Sequence, residues 1–296
     1  MIERSAESEN DRRRFLKTAG MAGLGAVGAI ALPALDSKVL AANAPSDGAI
    51  LNFALNLEYL EAEFYSNAVF GHGLPDHLTT GKGHRGGVIG GRAVHFSAHD
   101  IRQYAREIAQ DEIDHVKFLR SALGAAKVSR PQIDIKNSFT AAARAAGLIG
   151  PRQTFDPYAN ENNFLLAAFI FEDVGVTAYK GAAPLIHNKT YLDAAAGILA
   201  VEAYHAGIVR TNLYARGFYS QAQKISNARD SLDGKSNDDQ GIGTHRYGNV
   251  VPTDHNGIAF GRTTGQVLNI VYLTPKRNDE GGFFPKGVNG SIRTSS

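Results

Sequence analysis

"ILAVEAYHAG", residues 198–207, sets Glu202 and His205 three positions apart in a run otherwise built mostly from Ala, Ile, Leu, Val and Gly. On a helix that spacing puts both side chains on one face, about one turn apart. The same face is apolar elsewhere: Ala195, Ile198, Leu199, Val209 and Leu213 share it. Burying an ionisable group without a partner costs several kcal/mol, so something must compensate, and a metal ion suits carboxylate and imidazole together.

Three other stretches answer the first. "DEIDHVKFL", 111–119, repeats the pattern with Glu112 and His115 on a stripe of Ile101, Ala105, Ile108 and Leu119. A helical period from about Ile50 to Phe70 carries Glu58 among Leu51, Ala54, Leu55, Ala62 and Tyr65. From near Asn163, "FLLAAFIFEDVGVTAYKGAAPLI" is apolar nearly all round, as a helix buried on several sides must be, and it contains Glu172. The second helix is expected to start with a capping box from Asp100 to Gln103 and to run to Leu123. The fourth is expected from Thr190, with Asp193 three residues on, to about Gly217. In chain order the helices give Glu, Glu-x-x-His, Glu, Glu-x-x-His. The Glu and His content predicts only about 0.4 Glu-x-x-His pairs by chance, and two occur, both within apolar stripes.

Composition removes competing chemistries. With no cysteine, disulfides, thiolate ligands and Cys nucleophiles are excluded, so a metal must be held by nitrogen and oxygen. Lys and Arg number 31 against 29 Asp and Glu, a balance that argues against nucleic acid as a partner. There is no phosphate-binding glycine loop, dinucleotide fingerprint or nucleophile elbow in a fitting context.

"NLEYLEAEFY", "DEIDHVKFL", "FIFEDVGVTAY" and "VEAYHAG" resemble the ferritin-like superfamily of carboxylate-bridged dimetal bundles, whose site takes one Glu from each of two helices and Glu-x-x-His from the other two. Over residues 49 to 290, including "GIAFGRTTGQVLNIVYL" and "GGFFPKGVNG", the chain is similar more narrowly to bacterial ferritin-like proteins related to plant desiccation-related proteins. The resemblance implies a mainly all-α four-helix bundle with a long crossover. It implies metal ligation by Glu58, Glu112, His115, Glu172, Glu202 and His205, with Glu112 and Glu202 bridging. Four carboxylates balance two divalent ions, iron or manganese by donor type, with zinc also able to bind. Such a pair handles dioxygen, peroxide or Fe(II), as a ferroxidase-, peroxidase- or catalase-like oxidoreductase would. The alternative is a non-catalytic envelope or desiccation-stress protein that uses the bundle as a scaffold.

Position suggests supporting residues. Asp111 can accept the ring N–H of the histidine on the opposing helix, whereas Val201 stands in the matching place before Glu202. Tyr65 and Tyr179 each lie seven residues after a ligand, Glu58 and Glu172, where a phenol can bond a ligand, donate an electron or fill the core. Glu61, one turn after Glu58, reads as an alternate ligand or as a solvated helix end. His72, His77, His84, His95 and His99 fit no ligand spacing and read as loop residues.

The bundle is assigned to 48–217 and an irregular extension packed on it to 218–296, in which only "QVLNIVYL" reads as an ordered element, with a further short helix in "SFTAAARAAGLI" between the second and third bundle helices. Residues 1–44 resemble a twin-arginine export signal: Arg12, Arg13, Arg14, Phe15, Leu16 and Lys17, an apolar stretch from Met21 to Leu35, then Ala41, Ala42 and Ala44. The expectation is a periplasmic or secreted protein that meets the membrane only through that signal, since the stretch is short for a spanning helix. Association into a homo-oligomer is compatible with the pattern.

Overall fold

Ser46 opens the first helix: its side chain accepts from the Ala49 N–H, and Gly71, left-handed at φ 77°, closes it by donating to Asn67. This is α1, Asp47–Phe70, in a computed structural model that describes residues 45–235 and 237–296. The expected export segment lies outside the described residues. Next come α2 (His99–Leu123), α3 (Asn137–Ala145), α4 (Glu161–Ala182), α5 (Lys189–Ala215), α6 (Tyr219–Asp233) and α7 (Thr264–Val271). The chain is mostly helical, with strand pairing confined to short pieces. Val88–Ile89 (β1) lies parallel to Ile133–Asp134 (β2), and Gly243–Thr244 (β3) antiparallel to Tyr247–Gly248 (β4).

Helices α1 and α2 form one pair, α4 and α5 another, and the pairs meet α1 to α4 and α2 to α5. The long connection from α2 to α4 therefore crosses a diagonal, as its length suggested. It is not loose chain. It carries α3, and through β2 it pairs with the loop that follows α1. Phe64 on α1 anchors this layer, packed against Phe139 of α3, Phe164 and Phe171 of α4, and Tyr158.

Two caps differ from expectation. The α2 start is not closed by an Asp100 box. Its N-cap is Ala98, and Glu161 of α4 accepts from the Ser97 and Ala98 N–H groups instead, so a distant carboxylate does the work assigned to a local one. For α5 the cap is Asn188, which accepts from Thr190 and Tyr191.

The C-terminal part departs furthest. Residues Pro45–Ser296 form one compact unit, so 218–296 is built into the bundle. It opens with α6, which sequence periodicity did not indicate, and "QVLNIVYL" resolves as helix, capped by a Thr263–Gln266 box. Phe283, fully buried, stacks edge-on with Phe139 and Phe171, and Asn289 exchanges two hydrogen bonds with Asn56 of α1. Beneath, three buried arginines, Arg210, Arg229 and Arg262, are paired with Asp173, Asp233 and Asp239.

Candidate metal centre

All six residues of the Glu and Glu-x-x-His pattern meet at the middle of the bundle, each buried. His115 Nδ1 lies 3.2 Å from Glu58, 3.7 Å from Glu112 and 3.5 Å from Glu202; His205 Nδ1 lies 3.1 Å from Glu112 and 3.6 Å from Glu172. The donors form two overlapping groups. Glu58, Glu112, His115 and Glu202 make one, Glu112, Glu172, Glu202 and His205 the other, with the atoms of each within 4.8 Å of one another. Glu112 and Glu202 belong to both.

Six donor atoms in this cluster have no hydrogen-bond partner although buried: both oxygens of Glu112, both of Glu202, Glu172 Oε2 and His205 Nδ1. Orphaned buried acceptors are costly, and six aimed at one place fit a site that binds cations. The donor set, oxygen with imidazole and no sulfur, fits hard to borderline divalent ions.

Electrostatics agree. Burial works against a charged imidazole, yet Glu58 and Glu112 outweigh it and push His115 up to about 11. His205 likewise rises to about 9, through Glu112, Glu172 and Asp111. Glu112 is buried too, but both histidines face it and draw it down to about 2. Glu58 is raised, chiefly by burial, and Glu202 well raised by burial and by four neighbouring carboxylates. Burial and Glu112 lift Glu172 to about 8, against the pull of His205. The cavity is short of positive charge, and it draws protons where it has no cations.

The supporting residues form a cross-brace. Tyr65 donates to Glu172 and Tyr179 to Glu58, so each phenol fixes the carboxylate of the opposite helix, and α1 and α4 are tied antiparallel in register. Sequence spacing had pointed each tyrosine along its own helix. Asp111 Oδ2 lies 3.0 Å from His205 Nε2, which favours a proton on Nε2, so that Nδ1, facing the cluster, is the nitrogen that would give up its proton to a cation. For Asp111→Ala we expect metal affinity to fall about 10- to 100-fold, read by competition with a chelator of known strength.

Glu61 is not a solvated helix end. It is buried, with a carboxyl pushed well up by burial and by Glu112, Glu172 and Glu58, so five carboxylates share this interior. The loop histidines His72, His77, His84, His95 and His99 are exposed and join no ligand group among the described residues.

One residue of the site escaped the sequence reading altogether. Gly175 packs against Glu202: a Cβ there would press on Glu202 Oε2 inside van der Waals contact. Glycine in mid-helix costs roughly 1 kcal/mol relative to alanine, and here the bare backbone makes room for a shared carboxylate. Gly175→Ala should thus leave the metal-free protein as heat-stable as before or slightly more so, while lowering its metal content. Calorimetry and metal analysis of the same preparation check both signs.

Fold and site together define a four-helix bundle with a carboxylate and histidine cluster at mid-helix that fits metal ions. The profile of the Ferritin-like domain matches residues 46–215, and the chain belongs to the ferritin-like family. It is 33% identical over 265 residues to the desiccation-related protein PCC13-62 of Craterostigma plantagineum, covering 83% of each chain. It is 28% identical over 266 residues to the ferritin-like catalase Nec2 of Nesocodon mauritianus, covering 82% of this chain and 83% of that one. No solved structure matches it.

Proposed function

We propose that the protein is exported, holds a pair of iron or manganese ions, and disproportionates hydrogen peroxide to water and dioxygen. The observation that carries this reading is the pair of four-donor groups sharing Glu112 and Glu202. The relative named as a catalase supports the choice of peroxide. A bound pair of redox ions supplies the two electrons that each peroxide exchanges.

The chain's own residues do the rest. Glu112 and Glu202, which belong to both donor groups, would be held in common by the two ions. Glu58 and Glu172 would each serve one ion, and they are held in place by Tyr179 and Tyr65. Four carboxylates balance two divalent ions, so Glu61, the fifth, holds a proton within reach of the cluster. Of the six donors His115 is the most open to solvent, at 10% side-chain exposure against 0–3% for the other five, which supports small-molecule entry on that side.

The test combines metal analysis with oxygen evolution from peroxide, for protein supplied with iron or manganese. Two ions per chain and peroxide turnover, lost together in His115→Ala, are the expected result. Fewer than one ion per chain removes the reading. Full occupancy with equal oxygen evolution in wild type and His115→Ala would favour a protective scaffold. Export is checked separately, by replacing Arg13 and Arg14 with Lys and following the protein between cell fractions.

A further inference from the structure

Helix α5 is unlike its partners on its outer side. Between Asp193 and Arg216 it exposes no charge: Glu202, His205 and Arg210 all point inward, and the outside is Ala196, Gly197, Ala200, Ala203, Tyr204 and Gly207 with flanking Val201 and Ile208. Among the described residues it is the one helix long and apolar enough to cross a membrane, yet only 33% of its apolar window is buried. Monomeric proteins seldom leave so long an apolar face open to water.

The face carries a knob and a hole. Tyr204 is 74% exposed, the highest value of any large hydrophobic side chain among the described residues. Beside it, a groove of about 230 Å3 runs between α5, at Ala203 and Gly207, and the loop bearing Val250, Pro252 and Phe260. The groove's outer rim continues the apolar surface through Val251 (70% exposed) and Ile258 (53%). On the other flank Phe118, also exposed, lies two turns along α2 from Asp111, on the edge that meets α5.

We propose that this face binds a second copy of the chain, α5 against α5 about a two-fold axis, with each Tyr204 ring seated in the other copy's groove. Such an interface must present its knob and its hole on one patch, because the same surface serves both sides, and here they are one residue apart on one helix. The small residues between them let two helices approach closely. The apolar outer residues run from Ala196 to Ile208, about 20 Å of helix, and Phe118 on one flank with Val251 and Ile258 on the other widen the patch toward the roughly 800 Å2 per partner of a standard interface. A lipid surface fits less well. Asp111, Asp114, Asp193 and Asp238 rim the face, where anionic headgroups favour Lys and Arg, and inserting α5 would strip Glu202, His205 and Arg210 of their partners.

Sedimentation of the full chain at micromolar concentration tests this. The expected species is a dimer, and Tyr204→Glu, at a site exposed enough to spare the fold, should weaken it by about 30-fold or more, as loss of a central aromatic anchor does. Because the chain has no cysteine, Ala200→Cys should give a disulfide-linked dimer under mild oxidation while Lys286→Cys, in the segment that crosses α1, should not. A monomeric wild type overturns the proposal, as does a dimer indifferent to Tyr204→Glu. Flotation of monomeric protein with anionic vesicles, abolished by Tyr204→Glu, would also overturn it and assign the face to lipid.

Discussion

Glu112→Ala is expected to leave the protein without either metal ion. Glu112 belongs to both donor groups, both its oxygens lack a protein partner, and the two histidines draw its carboxyl down to about 2, so it stays charged across the physiological range. Removing it takes one donor from each group and leaves His115 and His205 facing a cavity with less negative charge. Peroxide turnover should fall to background along with metal content. Glu61→Gln is the control that gives the comparison meaning: it replaces the protonated carboxyl of the same interior, a member of neither donor group, by a neutral amide of similar shape, and should retain both ions. Metal analysis of the two variants decides. Equal ion content in both would show that the shared position of Glu112 has no consequence.

The bundle was legible in sequence because its four helices bury what hydrophobic periodicity recognises. Ile101, Ala105, Ile108 and Leu119 point inward, and so do Ile198, Val209 and Leu213. The meeting of six Glu and His side chains was legible because they break that stripe at fixed intervals, a violation that costs energy unless something compensates the buried charge. Helix α6 was hidden for the converse reason. Its buried face is Ala222, Ile225, Ser226, Arg229 and Asp233, a helical spacing whose members include ions. Arg229 and Asp233 are buried because Asp173, Asp239 and Arg262, 10 to 56 positions away, neutralise them. No local pattern reports such pairing. Gly175 and the crossed tyrosine bonds were hidden likewise, since each depends on how α4 sits against another helix rather than on its own sequence.

That hidden network carries the second large effect. Arg262 is fully buried and makes three side-chain contacts: Nε to Asp233 at 2.6 Å, one terminal nitrogen to Asp239 at 2.9 Å and the other to Thr177 at 3.0 Å. Its backbone N–H donates to the Thr177 carbonyl on α4, and Gly181 leaves room for the close approach. In Arg262→Ala, among the described residues, Asp233 loses its one paired cation and Asp239 keeps Arg229 alone. Breaking a buried pair in this way costs about 3–5 kcal/mol, which lowers the melting temperature by about 10 °C in a chain of this size. Arg262→Lys, which restores charge without the fork, should recover part of it. The loss should also depend on pH with a definite sign. Burial and the neighbouring Asp239 and Asp233 already raise Asp230 from 3.8 to about 6, so its folded form favours the proton, and stability is lost as pH rises from about 4 through 6. Asp233 is raised as well, chiefly by burial, and Arg262 is what holds it down, so without Arg262 it shifts further up. The deficit of Arg262→Ala should therefore be smaller at pH 5 than at pH 8, where Asp233 must be charged beside Asp230 without its arginine. Calorimetry at the two values measures it, and a deficit under 1 kcal/mol at both would mean that water replaces the arginine and that α6 and the C-terminal segment are held by their apolar contacts alone.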